Sequence, residues 1–217
     1  MSIRSIIYLL ILLLTSIFGI VRYQKLAIPF KLLCGIIAIT FFVEVANRFC
    51  AVRYHNSMPV YHIASFAELN FFLSIYYFLF NQKNTKKAII SLIVILNICS
   101  IINSFFLQPY RNTFPSNVLV PAQISYAIFS ILLFRQMLLH PVMVNIVKQS
   151  VFWYNTAMLF FSSTMFLGLG VDNYFINHKL DYHIIIIFGY CVNVIFYTIL
   201  AYSIYLNTKE THTENER

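Results

Sequence analysis

Residues 28–49 read IPFKLLCGIIAITFFVEVANRF. The run is apolar on every side and shows no strict alternation. It is longer than the about 20 residues that a helix needs to cross the hydrocarbon core of a bilayer. Its only charges are Lys31 near the start and Glu44 and Arg48 near the end. Working outward, similar runs recur at 6–21, 61–80, 88–107, 118–139, 151–169 and 184–206. They are continuous, unlike the alternating segments of about ten residues that build a membrane barrel. The expected fold class is therefore all-α, a polytopic membrane protein of about seven transmembrane helices. One bundle over 1–207 and a polar cytoplasmic tail over 208–217 complete the expectation.

Composition agrees with that reading. The 217 residues are 60% hydrophobic, 18% aromatic and only 10% charged. Soluble domains hold about a quarter charged residues. The net charge of +8 does not point to nucleic acid, because the basic residues are scattered between apolar runs rather than gathered on one face. Cys34, Cys50, Cys99 and Cys191 form no CxxC pair and read as small hydrophobes. The first apolar run ends in Arg22-Tyr23-Gln24-Lys25 with no small-residue cleavage site before it, so it reads as a retained helix rather than a signal peptide.

Lysine and arginine set the expected orientation. With the amino terminus outside, ten of the 15 fall on the cytoplasmic side: Arg22, Lys25, Lys31, Lys83, Lys86, Lys87, Arg135, Lys148, Lys209 and Arg217. Arg4, Arg48, Arg53, Arg111 and Lys179 fall outside. The expectation is amino terminus out, carboxyl terminus in, in a bacterial inner membrane. The links carry turn residues: Asn81 to Lys87, Gln108 to Asn112 with Pro115 beyond, His140-Pro141, and Asp172-Asn173. Pro121 falls in the first two turns of the fifth helix, where proline is tolerated.

Charges inside a membrane are rare and costly, about 3 kcal/mol for an acidic residue near the centre. Glu44 and Glu68 are therefore the most informative positions. Arg48 follows Glu44 by one turn, and Thr40 and Asn47 share that face. His62 and Ser65 precede Glu68 at helical spacing and extend a polar stripe. An Arg48–Glu68 or a His62–Glu44 contact is geometrically open. Asn103 and Gln123 lie at a similar depth and are candidates to join a pocket for a proton, an ion or a small ligand. The plainer alternative is an interhelical ion pair that fixes packing. Asn97, Asn155, Asn193 and Ser162 to Thr164 read as helix glue. Asp172, His178, Asp181 and His183 share a loop without the spacing of a standard metal site, so no metal and no cofactor is expected. No catalytic signature appears, and an enzyme is not expected.

A retinal-binding rhodopsin would need a lysine in the last helix, and 184–206 has none. Sugar-transporting PQ-loop proteins carry paired Pro-Gln motifs, whereas this chain has only Pro121-Ala122-Gln123. Phe42-Val43-Glu44, Tyr61 through Glu68, Phe152-Trp153-Tyr154-Asn155 and Val192 through Tyr197 together resemble a family of seven-helix integral membrane proteins of Bacteroidota. The resemblance implies the helical fold and supplies no activity. Related regions resemble the membrane sensor part of some histidine kinases, and such small proteins also occur as accessories of type VI CRISPR loci. Three expectations follow, in this order. The chain is a sensory or regulatory module acting through a protein partner or as a homo-oligomer. It is a small proton- or ion-coupled transporter using Glu44 and Glu68. Or it is an accessory of an antiviral system that modulates an effector nuclease. The lipid bilayer is a partner in all three, and direct nucleic-acid contact in none.

Overall fold

A computed structural model of the chain describes residues 3–140, 145–178 and 183–215. Among the described residues the backbone forms seven α-helices and no strand. They are α1 (Ile3–Arg22), α2 (Ile28–Tyr54), α3 (Met58–Leu79), α4 (Lys83–Ile102), α5 (Ser116–Leu139), α6 (Ser150–His178) and α7 (His183–Asn215). Each lies on one of the apolar runs. Five of them, α1, α2, α4, α5 and α7, are long and apolar enough to cross a membrane. The chain is an all-α polytopic protein. α3 carries His62, Glu68 and Asn70 within its span, and α6 carries Asn155 and a run of hydroxyls.

The helices outlast the apolar runs, because polar residues at helix ends still form intrahelical hydrogen bonds. α4 begins at Lys83, within the stretch expected as a link. α6 continues to His178, so 172–178 is helical rather than loop. Residues 179–182 lie outside the described residues. α7 runs to Asn215, so most of the expected tail is helix. α2 ends on His55, whose φ of 53° is a left-handed helix cap built without glycine. The Asn56 side chain then accepts the Met58 N–H at 2.9 Å, and Pro59 occupies the first turn of α3, where its missing N–H costs nothing.

The exposed surface is greasy in stripes. Leu10, Leu14 and Ile17 on α1 and Ile90, Val94, Ile98 and Ile101 on α4 are all exposed at helical spacing. Stripes of this size would drive aggregation in water, whereas in lipid they cost nothing.

The chain packs as two compact units, residues 28–122 and residues 1–27 with 123–217, where the sequence suggests one bundle. The contiguous unit is built on α2 against α3 and α3 against α4. Its α3 and α4 are joined by a reciprocal amide pair: each of Asn70 and Asn97 donates Nδ2 to the other's Oδ1 at 2.9 Å.

The discontinuous unit is built on α6 against α7 and α1 against α7. α1 turns Tyr8, Leu12, Thr15 and Ser16 inward. Both hydroxyls donate at 2.7 Å to carbonyls of their own helix, Ile11 and Leu12, so these small residues pack without an unmet polar group. Phe161 and Phe196 stack at 4.1 Å between α6 and α7. Asn155, fully buried, donates to the Ser130 carbonyl of α5 at 2.8 Å. The start of α6 is closed by the end of α7. The Glu210 carboxylate accepts the Ser150 N–H at 2.6 Å and also the Ser150 hydroxyl, while Ser203 donates to the Ser150 carbonyl at 2.8 Å. Asn207 accepts the Ala27 N–H at 3.1 Å, and Thr211 donates to the Lys25 carbonyl.

Candidate functional site

Of the residues singled out by sequence, Glu44 is brought near Arg48 on its own helix and near Glu68 across the α2–α3 pair. Glu44 lies within electrostatic range of Arg48, Glu68 and Tyr61. Both carboxylates are half-buried. Glu44 therefore faces the Arg48 guanidinium and the Tyr61 phenol, while Glu68 faces Glu44, all in an apolar setting. Such a group carries a surplus negative charge when both acids are ionised. Low dielectric makes that surplus expensive, and a cation or a proton relieves it.

Asn47, on the Glu44 face of α2, adds to this. It is 5% exposed, and neither its Nδ2 nor its Oδ1 has a hydrogen-bond partner among the described residues. Arg48 Nε is likewise buried and unpartnered among them. Leaving such a group unmet costs about 1–3 kcal/mol, which a bound ligand would recover. Thr40, further along this face, donates internally to the Ile36 carbonyl at 2.9 Å.

His62 departs from the expected stripe. It meets neither Glu44 nor Glu68 by hydrogen bond. Its Nε2 donates to the Thr113 carbonyl at 2.9 Å, and its Nδ1 lies 2.8 Å from the Ser104 hydroxyl. The cause is the end of α4, which widens into a π-helical turn over Asn103–Leu107 and carries Ser104 to His62. Ser65 donates to the His62 carbonyl at 2.9 Å and takes no part in the acidic cluster by hydrogen bond.

Asn103 does not join a pocket with Glu68. It donates to Gln108 Oε1 at 3.0 Å and accepts from Asn117 at 3.1 Å. Gln108 in turn donates to Ser116 at 2.8 Å, so these amides form a lattice that closes the α4–α5 connection. Gln123 is 4% exposed with Oε1 unpartnered among the described residues, and it opens the α5 stretch of the other unit.

The sequence reading missed Asn70, Gln108, Asn117 and Glu210 as structural polar residues. Their signal was polarity inside or beside an apolar run, which names a residue without naming its partner. Among the described residues no group of three or more metal-ligating side chains forms. Comparison with known protein families, with curated proteins and with solved structures gave no match.

Proposed function

We propose that this is a multi-pass protein of the cell membrane whose α2–α3 pair binds a proton or a small monovalent cation and couples it to transport. All seven helices cross the bilayer in this reading, with the amino terminus outside. The observation that carries it is the apposition of Glu44 and Glu68 beside the unpartnered amide of Asn47. An ion pair kept only for packing would balance its charges, whereas this cluster holds two acids to one guanidinium. Binding a cation restores the balance, and release on the other side returns it.

The test is flux in proteoliposomes loaded with pH- and sodium-sensitive dyes. The parent protein is expected to dissipate an imposed cation gradient. Glu44→Gln and Glu68→Gln keep the side-chain shape and remove the charge, so each should lower flux to the level of empty liposomes while inserting normally. Flux unchanged in both variants sinks the carrier reading. No flux from the parent, together with a stoichiometric protein partner in mild detergent, moves the same site to a sensory or regulatory role.

A further inference from the structure

A groove of about 510 Å³ runs between α3 and α4 on the side of unit 28–122 where α4 passes into its π-helical turn. That volume falls in the range of about 300–1,000 Å³ typical of small-molecule sites. Its walls are Ile63, Phe66, Ile101 and Phe105, all exposed, and Tyr110 stands at its mouth. Tyr110 lies just beyond the end of the apolar span at Leu107, and in a bilayer the headgroup region begins where such a span ends. The hydrogen-bonded His62 and Ser104 give it a narrow polar strip.

The rim is cationic. Arg111 is exposed and sits 5.5 Å over the Tyr110 ring, with Nε donating to the phenol oxygen at 3.0 Å. Its two Nη groups make no hydrogen bond or ion pair among the described residues. Asn56 donates to the Arg111 carbonyl at 2.7 Å, which ties this loop to the end of α2, where Arg53 and His55 stand exposed. The only acids anywhere in 28–122 are Glu44 and Glu68.

We propose that this groove holds one anionic phospholipid, with an acyl chain along Ile63, Phe66, Ile101 and Phe105 and its phosphate on Arg111. Apolar walls at acyl depth and an anchored guanidinium at headgroup depth match the two halves of such a lipid. The site is separate from the acidic cluster and does not depend on its function.

The experiment is native mass spectrometry of the delipidated full chain titrated with dioleoyl phosphatidylglycerol or dioleoyl phosphatidylcholine. One phosphatidylglycerol should bind at least tenfold more tightly than phosphatidylcholine. Arg111→Gln should cost phosphatidylglycerol about tenfold and leave phosphatidylcholine unchanged. Ile63→Trp, which fills the groove from an exposed position, should displace both. Lys86→Gln with Lys87→Gln, at the other end of α4, should change nothing. Equal binding of the two lipids, or parent-like binding by Arg111→Gln, overturns the proposal. Displacement by excess inorganic phosphate overturns it as well, since the site would then read phosphate and not lipid. If Arg111→Gln unfolds the chain, Arg111→Lys replaces it and should retain most of the preference.

Discussion

At the scale of single residues, polarity inside a membrane segment was readable and its purpose was not. Glu44 and Glu68 stood out because a carboxylate in an apolar run is costly, and the α2–α3 pair does bring them together. His62 stood out equally, yet it serves the connection after α4. Sequence spacing aligned it with Glu68, but no spacing encodes the π-helical turn that presents Ser104. The Asn70–Asn97 pair was half visible, through Asn97 alone. It supports a clean prediction. Asn70→Leu or Asn97→Leu leaves one half-buried amide without its partner and should cost about 1 kcal/mol. The double variant removes both amides together and should recover most of that loss. Thermal unfolding of the three variants in detergent decides it, and simple additivity would exclude a coupled pair.

At the scale of elements, the apolar runs located every described helix but not the helix ends. Helix formation needs backbone hydrogen bonds, not lipid, so α6 and α7 carry on into polar sequence. The end of α7 is a working part of the fold rather than a fringe. Glu210 caps the start of α6, placing a carboxylate against the positive end of a helix dipole. Glu210→Ala should lower stability by about 1–3 kcal/mol, and Glu210→Gln by less, because the amide still accepts one hydrogen bond. Equal melting temperatures for parent and Glu210→Ala would show the cap to be idle. The element scale also tests the orientation. A cysteine at Asn84 should be shielded from an impermeant maleimide in intact cells, and one at Asn112 should be labelled. The reverse pattern inverts the topology.

At the scale of the whole molecule, the division into two units was not legible in the apolar pattern. Hydrophobicity marks what enters the membrane, but packing partners are chosen by small residues, aromatics and amides scattered through it. Prolines mark both borders of the contiguous unit. Pro29 lies just after the break between residues 27 and 28, and Pro121 lies just before the break between 122 and 123. Pro121 lies in the second turn of a continuous α5 and has no N–H to give to its backbone ladder. The discontinuous unit also makes a prediction. Truncation after His178 deprives α1 of α7. A cysteine at the fully buried Leu12 should then react with a membrane-permeant maleimide, whereas in the full chain it should not. Protection in both would mean that α1 has another partner.

That arrangement imposes an order on synthesis. The 28–122 unit is complete while the ribosome is still working, but α1 cannot find its partner until α7 is made. Ala27 and Asn207 are 180 residues apart, which at ordinary elongation rates is roughly 10–40 s of waiting. For that interval α1 waits with the face that packs on α7 bare. Thr15 and Ser16 make the wait tolerable. Their hydroxyls are already bonded to carbonyls of their own helix, so neither waits on α7 for a hydrogen-bond partner. A nascent chain stalled before α7 is therefore one whose α1 is inserted and stable but uncommitted, open to capture by insertion chaperones or membrane proteases that recognise an unpaired helix.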